Sequence, residues 1–232
     1  MPDFFTEGAT GDLATLSPED SHHALRVLRL RPGDHIRVSV QGQRYEARLE
    51  AKGNLAAARL LKPLGSSEAR TRITLYQGWP KGDKLDLVVR QAVELGVFAI
   101  VPCVFSRCVS RPEPGKRMDR LNKIAREAAM QSGRTIIPRV EAPIGYEKLK
   151  GRLARHEQAL LAYELAGGQS LRAAYRGALD LGLVIGPEGG FTPQEVEGLP
   201  AQAVSLGPRI LRTQTAGIAA IAMLLALNDD FQ

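Results

Sequence analysis

The stretch Leu183-Val184-Ile185-Gly186-Pro187-Glu188-Gly189-Gly190-Phe191-Thr192-Pro193-Gln194-Glu195 joins an apolar run to a glycine-rich bend and then to a helix start. The apolar run reads as a short buried strand. Gly186, Gly189 and Gly190 permit positive φ and close backbone approach, while Pro187 removes one donor and stiffens the turn. Thr192 with Glu195 three residues later fits a capping box, and Pro193 suits the first helical position. In an open α/β sheet, ligands bind beyond the carboxyl ends of the strands, so this bend is a candidate ligand loop. A tight turn that holds nothing would use the same residues. The spacing matches neither the dinucleotide fingerprint nor the phosphate-binding loop.

A second segment, Leu206-Gly207-Pro208-Arg209-Ile210-Leu211-Arg212-Thr213-Gln214-Thr215-Ala216, repeats the pattern. A short strand again ends in Gly-Pro, and the helix that follows carries Ala216, Gly217, Ala219 and Ala220, small residues that let it approach another backbone. Two such loops at neighbouring strand ends suit an adenosine held through backbone groups, with no charged phosphate clamp.

Working outward, the rhythm of the second half is strand alternating with helix. Residues 73–76, 97–101, 160–163, 183–185 and 203–206 read as strands. Helical spacing covers 83–95, ended by Gly96, and Met118, Leu121, Ala125 and Ala128, followed by Gly133. This alternation predicts an α/β domain with a mostly parallel sheet. The first half differs. Ser17-Pro18-Glu19-Asp20 is a helix start, with serine cap, early proline and acids near the positive end of the dipole, and the helix should end near Arg31-Pro32-Gly33. Ile36, Val38 and Val40 alternate with polar residues, as do Tyr45, Ala47 and Leu49 beyond Gln41-Gly42, which predicts a hairpin with one buried face. A further strand over 56–61 completes a small β-barrel. Lys62-Pro63-Leu64-Gly65-Ser66-Ser67-Glu68 breaks the pattern, so the domains are expected at 1–68 and 69–232.

Of 232 residues 44% are apolar, enough for a sizeable core and against disorder. The formal net charge of +6 and a pI near 9.5 favour a polyanionic partner, although a merely soluble basic protein has the same balance. Two cysteines in a chain of this length point to a reducing compartment. No signal peptide is expected from Met1-Pro2-Asp3, and the apolar run at 218–227 falls short of the roughly 20 residues a bilayer requires. The expectation is a soluble cytoplasmic protein without membrane association. Neither His22 and His23 nor Cys103 and Cys108 have partners at zinc spacing, so no metal is expected.

The two C-terminal motifs, GPEGGF and LGPRILRTQTA, resemble those of the RsmE family of 16S rRNA uridine N3-methyltransferases, within the SPOUT superfamily. The likeness extends upstream through Lys81-Gly82-Asp83-Lys84, Glu94-Leu95-Gly96-Val97 and Glu127-Ala128-Ala129-Met130-Gln131-Ser132, with Arg134 and Pro138. It continues through the segment His23-Ala24-Leu25-Arg26-Val27-Leu28-Arg29 and Gly33-Asp34, and so covers nearly the whole chain. The resemblance implies a PUA-like N-terminal β-barrel and a SPOUT α/β domain with a deep trefoil knot. It further implies S-adenosyl-L-methionine held in the knot, a homodimer whose partner helps complete the active site, and a uridine substrate in the decoding region of the small-subunit rRNA. The family commonly has glutamate where this chain has Gln214.

By position, the residues that the resemblance assigns to the cofactor are Leu161, Ala162, Tyr163, Ile185, Gly186, Pro187, Glu188, Gly189, Gly190, Leu206, Gly207, Ile210, Leu211, Arg212, Thr215 and Ala216. Ordinary core packing is a compatible role for Leu206, Ile210 and Leu211. Uridine N3 must lose a proton to attack a methyl group, so a base or a cation that stabilises the developing charge would help. Arg212 and Arg134 are the candidate cations, and Glu127 and Glu188 the weaker candidate bases. A phosphate contact is the alternative for Arg134, a solvated helix face for Glu127, and a loop-fixing role for Glu188. Arg26, Arg29, Arg31, Arg37, Arg44 and Arg48 would form a basic face tracking RNA, or else are scattered surface arginines. Two alternatives remain at this level: a catalytically silent RNA-binding or ribosome-assembly factor, and a methyltransferase of the superfamily acting at another RNA position.

Overall fold

The computed structural model describes residues 1–112, 115–164, 167, 169–230. It divides into two compact units, one comprising Met1–Glu68 with Ala129–Ile137, the other Ala69–Ala128 with Pro138–Gln232.

The first unit is a six-stranded sheet in the order β1-β4-β5-β6-β3-β2. The predicted hairpin is β4 (His35–Val40) against β5 (Gln43–Lys52), antiparallel with Val38 opposite Tyr45. Its turn residues Gln41 and Gly42 both have positive φ, 49° and 83°, as a tight two-residue hairpin requires. The third expected strand is β6 (Leu55–Leu64), which runs on through Pro63, three residues beyond the expected end. Three short strands were not legible: β1 (Asp3–Thr6), parallel to β4, and the pair β2 (Ala9–Thr10) and β3 (Leu13–Thr15). The expected helix start is present, with Ser17 capping α1 (Pro18–His22), but the chain then widens into a π-helical turn, His23–Val27. Phe4, Leu16, Ile36, Val38 and Leu49 form the core, and Met130 packs on it. Glu68 accepts hydrogen bonds from the backbone amides of Thr135 (2.7 Å) and Ile136 (3.1 Å) and pairs with the guanidinium of Arg134. Burial raises the pKa of Glu68, but Arg134 and the two amides outweigh it and hold the carboxyl below its usual range.

The second unit is a parallel sheet in the order β10-β8-β7-β12-β11-β13, with β9 also on β8. Its strands are β7 (Arg72–Gly78), β8 (Ala99–Val104), β9 (Arg139–Val140), β10 (Ile144–Gly145), β11 (Gln158–Ala162), β12 (Asp180–Ile185) and β13 (Gln202–Val204). Helices α2 (Lys84–Leu95), α3 (Lys116–Ser132), α4 (Tyr146–Leu153), α5 (Leu171–Ala174), α6 (Pro193–Gly198) and α7 (Thr213–Leu227) connect or cover them. The predicted capping box at Thr192 and Glu195 starts α6, and Gly96, at φ 105°, ends α2. From β7 the chain crosses to one neighbour, β8; from β12 it moves to the other side, toward β13. That divergence is a topological switch point, the place where an open α/β sheet leaves a crevice. Helix α7 packs against α2, β7 and β12. Gly217 allows this approach, since a Cβ there would lie 3.2 Å from Gln77 Oε1 and 3.5 Å from Leu75.

Among the described residues no helix is long and apolar enough to cross a membrane, and no group of three or more His, Cys, Asp or Glu side chains is placed to hold a metal ion.

Candidate functional site

Strands β11, β12 and β13 end side by side, with Ala162 level with Ile185 on one side and Val204 on the other. The loops leaving these ends bound a cavity of about 140 Å³. One wall is Ala162, Tyr163 and Glu164; a second is Ile185, Gly186, Pro187, Gly190 and Phe191. Residues 205–211 form the third, and Thr213 and Ala216 of α7 close the base.

The β12 loop is held on every side. Gly186 faces the Phe191 ring so closely that a Cβ there would stand 2.9 Å from it. Phe191 is buried and packs edge-on against Phe105 and Tyr163, with ring centroids 5.0 and 6.3 Å away. Its carbonyl accepts from Arg107 Nη1 at 3.0 Å. Glu195 accepts from the Thr192 amide (2.9 Å) and the Ser106 amide (2.8 Å). Burial raises the pKa of Glu195, and these amides more than reverse that, leaving it lowered. Glu188 turns away from the cavity to accept from Lys84 Nζ at 2.6 Å and the Lys81 amide at 3.2 Å. Burial again raises its pKa, but the Lys84 contact outweighs it, so Glu188 is a weakened base that fixes the loop. At the cavity base Gln77 Nε2 donates to Thr213 Oγ1 (2.8 Å), which donates to the Gly186 carbonyl (2.5 Å). A side-chain relay thus ties β7, α7 and the β12 loop together.

The β13 loop has few such ties. Ser205 and Gly207 bond to each other, while Pro208, Arg209 and Arg212 are exposed and Ile210 is 87% exposed.

Eleven of the residues expected at the cofactor line this cavity: Ala162, Tyr163, Ile185, Gly186, Pro187, Gly190, Leu206, Gly207, Ile210, Leu211 and Ala216. Leu161 is instead buried in the core beside Tyr76 and Val184. Gly189 packs on the Arg107 carbonyl, where a Cβ would come within 2.6 Å of the oxygen. Arg212, the residue that precedes α7 at its N-cap, and Thr215, in the first turn of α7, are exposed. Sequence reasoning missed Glu164, Phe191, Ser205, Pro208, Arg209 and Thr213 as lining residues. Phe191, Pro208, Arg209 and Thr213 lay inside the quoted motifs. Nothing in the spacing singled out Glu164.

The lining fits a nucleoside. Among the described residues, apolar side chains and backbone groups surround a space with charge only at Glu164 and the exposed Arg209, so a phosphate has no clamp there and a flat heterocycle has two faces to lie between. The cavity is smaller than the roughly 300–1,000 Å³ of complete ligand sites, so it would enclose the adenosine part of a cofactor and leave the rest at the open rim.

A model of the RNA methyltransferase domain matches residues 67–225, and a model of the RNA methyltransferase PUA domain matches residues 16–60. Ribosomal RNA small subunit methyltransferase E of Bacillus subtilis is 32% identical, over 90% of this chain and 88% of its own. The protein of the same name from Mycobacterium bovis is 33% identical, over 94% and 88%. The chain belongs to the ribosomal RNA small subunit methyltransferase E (RsmE) family. The crystal structure of the Neisseria gonorrhoeae RsmE bound to S-adenosyl methionine superposes with a TM-score of 0.86, at 34% identity and 98% coverage of both chains.

Two expected RsmE site residues are placed where their expected chemistry is hard to perform. Arg134 is 5% exposed inside the first unit, its guanidinium engaged by Glu68, so its charge is already answered. The Arg44 side chain is 13% exposed and lies near Asp3, 3.8 Å away, an aspartate that Arg37 also engages at 2.6 Å. By contrast Arg26, Arg29, Arg31 and Arg48 are exposed. Glu127 is exposed on α3 and lies outside the cavity lining. Gln214, in the first turn of α7, has a buried amide oxygen without a hydrogen-bond partner among the described residues. An amide oxygen does not take a proton at neutral pH, so this position is not a general base.

Proposed function

We propose that this chain binds S-adenosyl-L-methionine in the cavity at the ends of β11, β12 and β13, and methylates N3 of a uridine in the decoding region of 16S rRNA. The observation that carries this reading is the cavity itself: backbone-lined, without a phosphate clamp, at the parallel strand ends of an RsmE chain. When bound, the cofactor supplies a sulfonium methyl group. Leu206, Ile210, Leu211 and Ala216 give the adenine its apolar surroundings, and the exposed carboxylate of Glu164 faces the polar remainder. Arg212 caps α7 at the cavity rim, next to Leu211 and Thr213 of the lining. Its guanidinium and the positive end of the helix both favour the negative charge that builds on the pyrimidine as N3 loses its proton. Arg134 serves the first unit through Glu68, and Glu127 is the carboxylate that the proposal leaves for the base.

The reading includes a trefoil knot, in which the β12 and β13 loops cross at the strand ends and α7 returns along β7 and β12. It divides labour between residues 1–68, which track RNA through Arg26, Arg29 and Arg31, and residues 69–232, which carry the chemistry. It also includes a cytoplasmic homodimer acting on the small ribosomal subunit. Exposed Ile210 and Leu227, 87% and 38% accessible, favour a second protomer. A monomeric mass by light scattering at micromolar concentration would remove that part.

The deciding test is mass spectrometry of digested small-subunit rRNA from cells lacking the protein. Loss of 3-methyluridine, restored by the purified protein with cofactor, is expected; unchanged 3-methyluridine sinks the substrate. Calorimetry with S-adenosyl-L-methionine separates an enzyme from a silent assembly factor.

A further inference from the structure

The second unit holds another concavity, distant in sequence from the cofactor loops. It lies between the first turns of α3, strands β9 and β10, and α4, with a volume of about 390 Å³. Met118, Pro143 and Ile144 give it an apolar floor. Arg139, Lys148 and Arg152 bring three cations to its edge, and Glu141 the single carboxylate. Arg152 Nη1 lies 2.7 Å from Glu141 Oε2, so those two charges answer each other. Arg139 and Lys148 are exposed and have no side-chain partner among the described residues. Lys148 and Arg152 stand four residues apart on α4 and so share one face.

The floor is also held in place. Asn122 of α3 donates to the Val140 carbonyl (3.2 Å) and accepts from the Val140 amide (3.3 Å), so one side chain bonds both backbone groups of Val140 in β9. Arg139 therefore projects from a strand fixed both to the sheet and to a helix, and little ordering remains to be done on binding.

We propose that this cleft holds a nucleotide of single-stranded RNA, its base on Met118, Pro143 and Ile144 and its phosphates on Arg139 and Lys148. The inference rests on the RNA-modifying reading and extends it, because it gives the catalytic unit an RNA contact of its own. The chemistry selects the partner. A nucleotide offers a flat apolar face and a phosphate a few ångströms apart, matching a floor and a cationic rim, whereas an acidic peptide offers charge alone. A duplex cannot place a base on such a floor without unpairing it, which favours unpaired RNA.

The test uses the full-length protein and an unstructured oligoribonucleotide of about 10 nucleotides, titrated without cofactor across a range of salt concentrations. The Arg139→Glu, Lys148→Glu double variant is expected to bind about tenfold more weakly, with the salt slope reduced by about 1.4, as two lost single-strand phosphate contacts require. The Arg139→Gln, Lys148→Gln pair should show a smaller loss with the same change in slope. Both variants should keep the wild-type affinity for S-adenosyl-L-methionine, which also shows that they are folded. Unchanged RNA affinity and slope in either pair overturn the proposal, as does equal competition by poly-glutamate at matched ionic strength. Because binding is read without turnover, wild-type protein that binds the RNA through these residues but methylates no uridine would retire the reaction and keep the cleft.

Discussion

The two loops that face each other across the cavity at the ends of β11, β12 and β13 are built on opposite principles. The β12 loop is tied by Lys84, Arg107, the Thr192–Glu195 box and the Gln77–Thr213 relay. The β13 loop is exposed through residues 207–210 and held chiefly at its ends. A site made of one fixed wall and one loosely held wall can separate two requirements: the fixed wall pre-sets geometry, and the loose one is free to adjust to what is bound. Substitutions on the two sides should therefore fail in different ways.

The largest effect is expected where the loose wall meets α7. Arg212→Ala should lower kcat by about 10²–10³-fold, the usual loss when one stabilising donor is removed, while cofactor affinity changes little. Equal losses in both quantities, read by single-turnover kinetics and calorimetry, would place Arg212 in the cofactor pocket. On the fixed wall, Gly186→Val must displace Phe191, and overpacking strain of roughly 1–3 kcal/mol should weaken cofactor binding by up to about 100-fold. Binding within threefold of wild type would show that the Phe191 ring moves freely and that the wall is not fixed.

A smaller effect belongs to Glu195→Gln, which keeps the shape of the capping box and removes its charge. The variant should lose about 0.5–2 kcal/mol of stability at neutral pH, measured by denaturant unfolding. The folded pKa of Glu195 is lowered, so its contribution is present above the ordinary value of 4.5 and is lost as pH falls through the folded value. Wild type and variant should thus converge in acid; a constant gap across pH would mean that the carboxylate charge is not what stabilises the loop. The smallest effect on stability is expected for Ile210→Ser. An exposed side chain should shift unfolding by less than about 0.5 kcal/mol, yet cofactor affinity should fall several-fold if the loose wall closes on the ligand. An unchanged affinity would make Ile210 a subunit contact only.

The fixed wall was also the more legible one. Glycines, a proline and a capping box are local chemistry, and Gly186 through Glu195 announced strand, bend and helix in order. The same holds for the Gln41-Gly42 hairpin and for Gly96. What escaped the sequence was long-range. Glu68 and Arg134 sit 66 residues apart, and no pattern connects them, so Arg134 read as a free cation. Asp3 gave no sign that it would engage Arg37 and Arg44, because β1 is four residues long and its parallel partner begins at His35. Glu164 lines the cavity only because β11 ends beside β12, a consequence of strand order that spacing does not encode.

The borrowing of residues Ala129–Ile137 by the N-terminal unit has a consequence for the nascent chain. At Glu68 the unit lacks Met130 for its core and Arg134 for its half-buried carboxylate. Roughly 70 more residues must be added first, and at about 5–20 residues per second that is a wait of roughly 4–14 s. Through that interval the growing polypeptide carries all six strands of the sheet, Asp3 to Leu64, but a core without Met130 and a glutamate without its counterion. Order of synthesis and order of completion therefore differ: the N-terminal unit is finished only after residues 69–128 of the second unit have been synthesised.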